Sequence, residues 1–503
     1  MKVQSRSEFK EVRGETMSKE QIIKYKYAEE KKIIPLPNDD IIILDVSSPN
    51  WLKTSITGKY LLEEMKEPKT IDELTAKISQ VYGLPIDVVK PIIRETVEKF
   101  YETGVVIRID KDNKFTSREK QKIESLGLQQ IWINVTYACN LNCSHCFARM
   151  KGDTGFIPAN DLIRIFKEAQ SLGVQEIVIS GGEPTLHPEL ENILREARKI
   201  GDWKIKLITN GYLSGNPENE RKIKSLCNYV DDIQVSFDGI KPETHDAIRG
   251  KGSFEKAYRF MFLLSEVESI KTGISFTPLP KNINEISKLF NFAIQVKATY
   301  IHLNRPKYPL NTLAFPSLDL FMSQQFAEEA FTAYDKLVQE FYKSFEDMRN
   351  LNVRLPIIDT SFDPASELLS PLKKERCSAG ILTIAIDPKG DVFPCAALMR
   401  REMLYFGNVF EEGLEKIYKR GRDKMIELFS VEKNDKCKEC LFRYFCGGGC
   451  RATAKDLKEC DYLCDIFQKR FIDFWKRISL PVIRTYANKI YETREGGIKR
   501  LTC

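Results

Sequence analysis

Between Ile131 and Arg305 the chain repeats one phrase. Apolar, β-branched runs recur at IWINVT (131–136), QEIVIS (175–180), KIKLITN (204–210), DIQVSFD (232–238), TGISFTP (272–278) and TYIHLNR (299–305). Amphipathic helical patterns such as NDLIRIFKEAQSLG and FEKAYRFMFLLSEV stand between them. Strand–helix–strand alternation favours parallel pairing, because a crossover is needed to return the chain to the start of the next strand. Six such units are two short of a closed eight-fold barrel. The expected core is therefore α/β, a curved, partial (β/α)6 TIM-like barrel over residues 128–310.

At 503 residues the chain is too long for one core, and its flanks divide readily. Residues 1–30 are polar and lysine-rich and read as a mobile arm. Residues 31–110 open with IIILDV (Ile41–Val46), continue through a capping-box pattern at Thr70-x-x-Glu73 and end in FYETGVVIRI, the outline of a winged helix-turn-helix. A charged linker follows over 111–127. Beyond the barrel come a polar helical connector (311–376), a cysteine-rich region (377–466) and a helical tail (467–503) broken at Pro481.

The net charge of +6 is too small at this length to argue for nucleic acid. MKVQSRSEFKEV lacks the apolar core of a signal peptide, and no apolar run reaches the ~20 residues that span a bilayer. The chain reads as cytoplasmic, its thirteen cysteines as reduced thiols. None precedes Cys139, three crowd into CNLNCSHC (Cys139, Cys143, Cys146), and eight fall between Cys377 and Cys464. Clustered cysteines in such a chain point to metal.

CNLNCSHC follows the first barrel strand, at the end where barrel active sites gather. Three thiolates can hold three irons of a [4Fe–4S] cube and leave the fourth open. The alternative is a zinc knuckle that borrows a distant fourth ligand. After the second strand comes GGEP (Gly181, Gly182, Glu183, Pro184), whose glycines admit close backbone approach and whose acid can accept from an ammonium.

The spacing C-x3-C-x2-C, followed by GGEP, TNG, SFDG and IRG on successive units, resembles the radical S-adenosylmethionine (SAM) superfamily. That resemblance implies a [4Fe–4S] cluster on Cys139, Cys143 and Cys146, and SAM chelating the open iron. Glu183 and its neighbours would meet the SAM amino group, Ser236 would make a polar contact, and Asn210 would face the cofactor. His145 stands where relatives often carry an aromatic residue near the adenine. Arg249 would bind the SAM carboxylate, or else is an exposed helix-start arginine. The implied chemistry is one-electron cleavage of SAM to a 5′-deoxyadenosyl radical that abstracts hydrogen from an unactivated carbon.

Cys377, Gly390 and Cys395, then C-x2-C-x5-C-x3-C (Cys437, Cys440, Cys446, Cys450), CGGGCRATA and Asp461-x-x-Cys464 resemble the SPASM extension, which carries two auxiliary clusters. By position Cys377, Cys395 and Cys450 would hold the first, and Cys437, Cys440, Cys446 and Cys464 the second. Three [4Fe–4S] clusters are thus expected in all. Cys460 departs from the pattern: it could replace Cys464 or complete the first set.

The front unit resembles the leader-peptide-binding (PqqD-like) domain of peptide-modifying enzymes, through IIILDV, TGKYLLEEM, TIDELTAKI and FYETGVV. In that family a leader adds a strand to a sheet edge, and here IIILDV and the next helix would form the groove. The candidate DNA-recognition helix, VVKPIIRETVEKF, mixes acids with bases and has no one-sided basic face. Together, over roughly residues 31–466, the resemblances imply maturation of a ribosomally made precursor peptide, with an intrapeptide thioether as the expected product. A flavodoxin or ferredoxin would supply electrons; no nucleic acid or membrane partner is expected. The competing readings are C–C crosslinking, sulfatase-type Cys or Ser oxidation, a cofactor-pathway enzyme, and a non-catalytic metal-binding winged-helix regulator.

Overall fold

The computed structural model describes residues 23–477 apart from 29–30, 37–39, 111–114, 117–119, 147–154, 306–322, 349–354, 360–361, 371, 400 and 455. Most of the expected arm and the tail around Pro481 therefore lie outside the described residues. The chain divides into two compact units, Met1–Glu119 and Lys120–Cys503.

In the first unit the arm reading gives way at β1 (Lys24–Tyr27), which pairs antiparallel with β5 (Val106–Ile109), itself paired with β6 (Phe115–Thr116). Tyr25 is buried in the core, and its hydroxyl donates to Glu98 at 2.7 Å. A second antiparallel sheet runs β2 (Lys31–Pro35), β3 (Ile41–Asp45), β4 (Trp51–Thr54). The IIILDV strand is β3, the central one. Its backbone groups are taken up by β2 and β4, so it cannot be the edge that receives an added strand. Helices α1 (Ile56–Glu64), α2 (Ile71–Tyr82) and α3 (Ile86–Glu102) complete the unit. The capping box forms as expected: Glu73 N–H donates to Thr70 Oγ1 at 3.1 Å and Thr70 N–H to Glu73 Oε2 at 2.7 Å.

In the second unit a short β7 (Gln121–Lys122) comes first, and then the six expected runs form β8 (Gln130–Asn134), β9 (Glu176–Ser180), β10 (Lys204–Thr209), β11 (Asp232–Ser236), β12 (Lys271–Phe276) and β13 (Tyr300–Leu303), all parallel. Crossovers are supplied by α4 (Ala159–Ser171), α5 (Leu190–Ile200), α6 (Pro217–Leu226), α7 (Pro242–Arg249), α8 (Ser253–Leu264) and α9 (Leu289–Gln295). The sheet is open and larger than six strands. After α10 (Gln324–Met348), β14 (Ile357–Ile358) adds a further parallel strand beside β13, inside the stretch expected to be a helical connector.

On the other edge, beyond β15 (Leu372–Lys373, paired with β7), β16 (Thr383–Ile386) pairs parallel with β8. It is followed by antiparallel β17 (Asp391–Phe393) and β18 (Gly407–Asn408), making ten strands in all. The expected linker is not free in its second half, since Glu124 takes an ion pair from Arg376 at 2.6 Å.

Strand order advances one way from β8 to β14, so crossovers of one hand put their helices on one face. That face is apolar and closed: Ile131, Ile133, Ile177, Ile179, Ile205 and Leu207 are buried. The opposite face carries the alternate residues, which include the polar Asn134, Ser180, Lys204, Lys206, Asp232, Gln234 and Ser236 beside Trp132, Val178 and Ile208. Asp232 accepts from Tyr300 Oη at 2.7 Å, with Lys204 and Lys206 at 3.6 and 3.8 Å. Burial pulls the Lys206 ammonium below its ordinary range, opposed by Asp232.

The remaining helices are α11 (Leu414–Leu428), α12 (Asp435–Lys438), α13 (Arg443–Cys446) and α14 (Cys464–Arg477). Phe467, Phe471 and Trp475 on α14 are buried, and its Arg470 reaches Asp335 and Asp363 at 2.8 and 2.6 Å. No described helix is long and apolar enough to cross a membrane.

Candidate active site

The cysteine loop leaves the end of β8 and is held at both sides. Gly182 N–H donates to Thr136 O and Glu183 N–H to Ala138 O, each at 2.8 Å, which ties the approach to Cys139 onto GGEP. Only glycine allows this: a Cβ on Gly181 would lie 2.4 Å from the Thr136 oxygen, and one on Gly182 2.3 Å from the Ala138 oxygen. Further along, Ser144 N–H donates to Ile248 O at 2.9 Å, and Arg249 Nη1 approaches Cys143 Sγ at 3.9 Å. Asn210 Nδ2 reaches Asn140 Oδ1 at 2.8 Å and Cys139 Sγ at 3.8 Å.

Glu183 is fully buried, and burial raises its carboxyl against four donors that lower it. Thr185 N–H, Thr185 Oγ1 and Thr209 Oγ1 all donate to Oε1; Asn210 N–H donates to Oε2 at 2.7 Å. Oε2 thus keeps capacity for one more donor. Pro184 opens a single 3-10 turn that sets this geometry.

Asp238, the acid of SFDG, was not singled out in the sequence, yet it organises the opposite wall. It is fully buried; its Oδ2 takes Arg249 Nε at 2.6 Å and faces His145 Nε2 at 3.2 Å, and its Oδ1 takes Thr277 N–H at 2.9 Å. Desolvation works to raise its pKa, but Arg249 and His145 hold it below the ordinary carboxylate range. Arg249 is the last residue of α7 and buried, which removes the exposed helix-start alternative. His145 Nδ1 and His245 Nε2 are buried with no hydrogen-bond partner among the described residues. Ser236 ends β11 on the face opposite the helices, paired in register with Ser275, which pairs with His302. His302 Nδ1 meets Asp359 Oδ2 at 2.5 Å, a second pair that sequence reading did not find.

The second cysteine region is built on the β16–β17 hairpin. Gly390, at φ +85°, makes its turn and so delivers Cys395, while Tyr137 Oη donates to Asp387 Oδ2 at 2.6 Å. This ties the hairpin to the segment leading into Cys139. Further on, Cys437, Cys440, Cys446, Cys460 and Cys464, with Arg443, Gly448 and Asp461, line a cavity of about 260 Å3 including its open mouth. Cys377, Cys395 and Cys450 are half-buried and outside that lining. Among the described residues no three Cys, His, Asp or Glu side chains converge closely enough for a single ion.

Residues 133–293 match the profile of the radical SAM superfamily, and residues 377–441 that of the SPASM iron–sulfur cluster-binding domain. The chain carries a radical SAM domain and a SPASM domain. Mycofactocin maturase MftC of Mycobacterium tuberculosis is 29% identical over 325 residues, 63% of this chain and 77% of that protein. The AdoMet-dependent heme synthase of Methanosarcina barkeri is 26% identical over 342 residues, 64% and 90% respectively. Among solved structures, Streptococcus suis SuiB bound to S-adenosylmethionine is 19% identical with a TM-score of 0.52, covering 87% of this chain and 99% of SuiB. anSMEcpe with bound AdoMet and Kp18Cys peptide gives 19% and 0.55, covering 72% and 99%.

A radical SAM/SPASM enzyme uses SAM and [4Fe–4S] clusters, and the residues fit both. Soft thiols are the donors in each cysteine set. The orphaned His145 nitrogen and the open position on Glu183 lie around the radical SAM cysteine loop. Gly182→Ala is expected to weaken SAM binding at least tenfold, about 1.4 kcal/mol, because its methyl must push away the backbone that carries Cys139. Equilibrium dialysis of SAM on anaerobically purified protein measures this; unchanged affinity would separate the glycine from the site.

Proposed function

We propose that this radical SAM/SPASM enzyme modifies a ribosomally made precursor peptide, installing an intrapeptide thioether. The observation that carries this is the first unit, a separate fold whose β2–β3–β4 sheet has, among the described residues, β2 and β4 as its outer strands, set in the same chain as the cluster-bearing unit. Edge strands offer backbone donors and acceptors to an extended leader, as β-augmentation requires. The SuiB likeness covers 87% of the chain, more than the 384 residues of the second unit (120–503) supply. SuiB has a structure with its precursor peptide SuiA, and MftC is named a maturase.

When bound, SAM and its cluster would supply one of the two oxidising equivalents that a thioether requires, and an auxiliary cluster would accept the remaining electron. The chain's own residues bind, orient and move the proton. Cys139, Cys143 and Cys146 would hold the cluster; Glu183 would accept from the SAM ammonium; Arg249, fixed by Asp238, would face its carboxylate; His145, Asn210 and Ser236 would complete the pocket. His302, if it donates Nδ1–H to Asp359, presents Nε2 as a proton acceptor for a peptide thiol. Cys377, Cys395 and Cys450 would hold the first auxiliary cluster. A low-potential flavodoxin or ferredoxin would supply electrons.

The test is incubation of the anaerobic holoenzyme with SAM, reductant and a candidate precursor peptide. A thioether product loses two hydrogens and one iodoacetamide-reactive thiol together. Loss of two hydrogens with the thiol intact gives C–C crosslinking or dehydrogenation instead. Failure to bind or alter any peptide, with turnover of a tetrapyrrole, would favour the cofactor-pathway reading that the heme synthase likeness raises.

A further inference from the structure

The second auxiliary site has more thiols than a cube has corners. Five cysteines border its cavity: Cys437, Cys440, Cys446, Cys460 and Cys464. A [4Fe–4S] cluster takes four. Cys460 lines the same cavity as Cys437 and Cys464, and its side chain packs on the buried cluster of Phe429, Val431, Cys437 and Tyr444. It thus belongs to this site and not to the set of Cys377, Cys395 and Cys450.

The backbone explains why both thiols arrive. Asp461 stands between them as a clamp. Its Oδ2 accepts from Cys450 N–H at 3.0 Å and Thr453 Oγ1 at 2.7 Å, its Oδ1 accepts from Leu463 N–H at 3.0 Å, and its own N–H donates to Gly448 O at 3.0 Å. The loop Gly447–Gly449 has φ of +61°, +82° and +78° and runs so close that a Cβ on Gly449 would lie 2.3 Å from the Asp461 Cβ. Cys460 is therefore fixed just before the clamp. Cys464 opens α14 just after it, with its N–H on Asp461 O at 3.1 Å. Neither thiol sits on a segment that must fold separately to reach the cavity.

We propose that Cys460 and Cys464 are interchangeable ligands for one corner of the cluster whose other corners are Cys437, Cys440 and Cys446. At any moment one is bound and the other is a thiol beside it. Exchange breaks one Fe–S(Cys) bond and forms another, with the proton passing from the incoming thiol to the outgoing thiolate; no electron moves. The inference rests on the SPASM domain and is independent of what the substrate is.

The test uses the full-length holoenzyme and the variants Cys460→Ala, Cys464→Ala and the double replacement, all purified anaerobically. Iron and sulfide per chain and the Mössbauer spectrum are read, with circular dichroism to verify folding. Each single variant is expected to keep about twelve irons, and the double to lose iron from one cluster. Brief iodoacetamide treatment of the native wild type, followed by peptide mass mapping, should divide one equivalent of label between positions 460 and 464. The proposal is overturned if one single variant already shows the iron loss of the double, or if the label falls on one position alone. It is equally overturned if the double retains every iron. This readout does not depend on peptide turnover, so its failure and failure of the maturase reading are separable.

Discussion

Replacing Asp238 with alanine is expected to destabilise the second unit by about 3–5 kcal/mol, the cost of leaving a buried charge without its partner. The side chain of Arg249 is only 10% exposed and that of Asp238 is not exposed at all, so water cannot take the place of the lost carboxylate. Thr277 N–H and His145 lose their acceptor at the same stroke. A denaturant midpoint at pH 7 measures the effect. A shift under about 1 kcal/mol would mean that the pair is solvated after all.

The control is Asp238→Leu with Arg249→Met, which removes both charges. It should recover most of the stability while leaving SAM binding weak, because neutral packing can match a buried ion pair energetically but cannot recognise a carboxylate. The pH dependence has a definite sign. The folded Asp238 carboxyl lies below its ordinary range, so its stabilisation is complete above the ordinary carboxylate pKa and is lost as pH falls through the lower folded value.

Converting Cys139, Cys143 and Cys146 together to alanine should abolish SAM cleavage while lowering iron from about twelve to about eight per chain. The three thiols stand on a loop beyond β8, outside the strands and away from the SPASM cavity, so the auxiliary sites are expected to fill without them. Iron and sulfide analysis reads the loss; electronic absorption reads the clusters that remain. Stoichiometric zinc with little iron, persisting after anaerobic reconstitution, would instead bring forward the metal-binding regulator.

What could be read in advance follows the range of the forces involved. The barrel strands were legible because each carries buried β-branched residues in a short apolar run and is bounded by a helix of different period, a signal contained in a few residues. The capping box at Thr70 is similarly local. β14 was not legible: two residues, Ile357 and Ile358, carry no pattern and become a strand only because the edge of β13 offers hydrogen bonds. β1 escaped for a related reason. KYKY reads as solvated until β5, some eighty residues on in the chain, buries Tyr25.

The same division runs through the site. Cys139, Cys143 and Cys146 announced themselves by spacing, since ligands to one cluster on one loop must be close in sequence. Ser236 was singled out over Asp238 in SFDG because the radical SAM resemblance pointed to its position, whereas a carboxylate acquires its role only from the partner it meets. Asp238 finds Arg249 through the whole of α7, and His302 finds Asp359 across a strand pair. The chain by itself determined its metal chemistry and its alternation of strand and helix, because both are written in short-range order. Only the tertiary structure decided which charges meet in the interior, that IIILDV is a central strand, and that Cys460 joins Cys464 at one cavity. These depend on burial and on pairing between segments far apart in sequence, where the low dielectric makes each encounter costly or valuable and the sequence holds no record of who the neighbour will be.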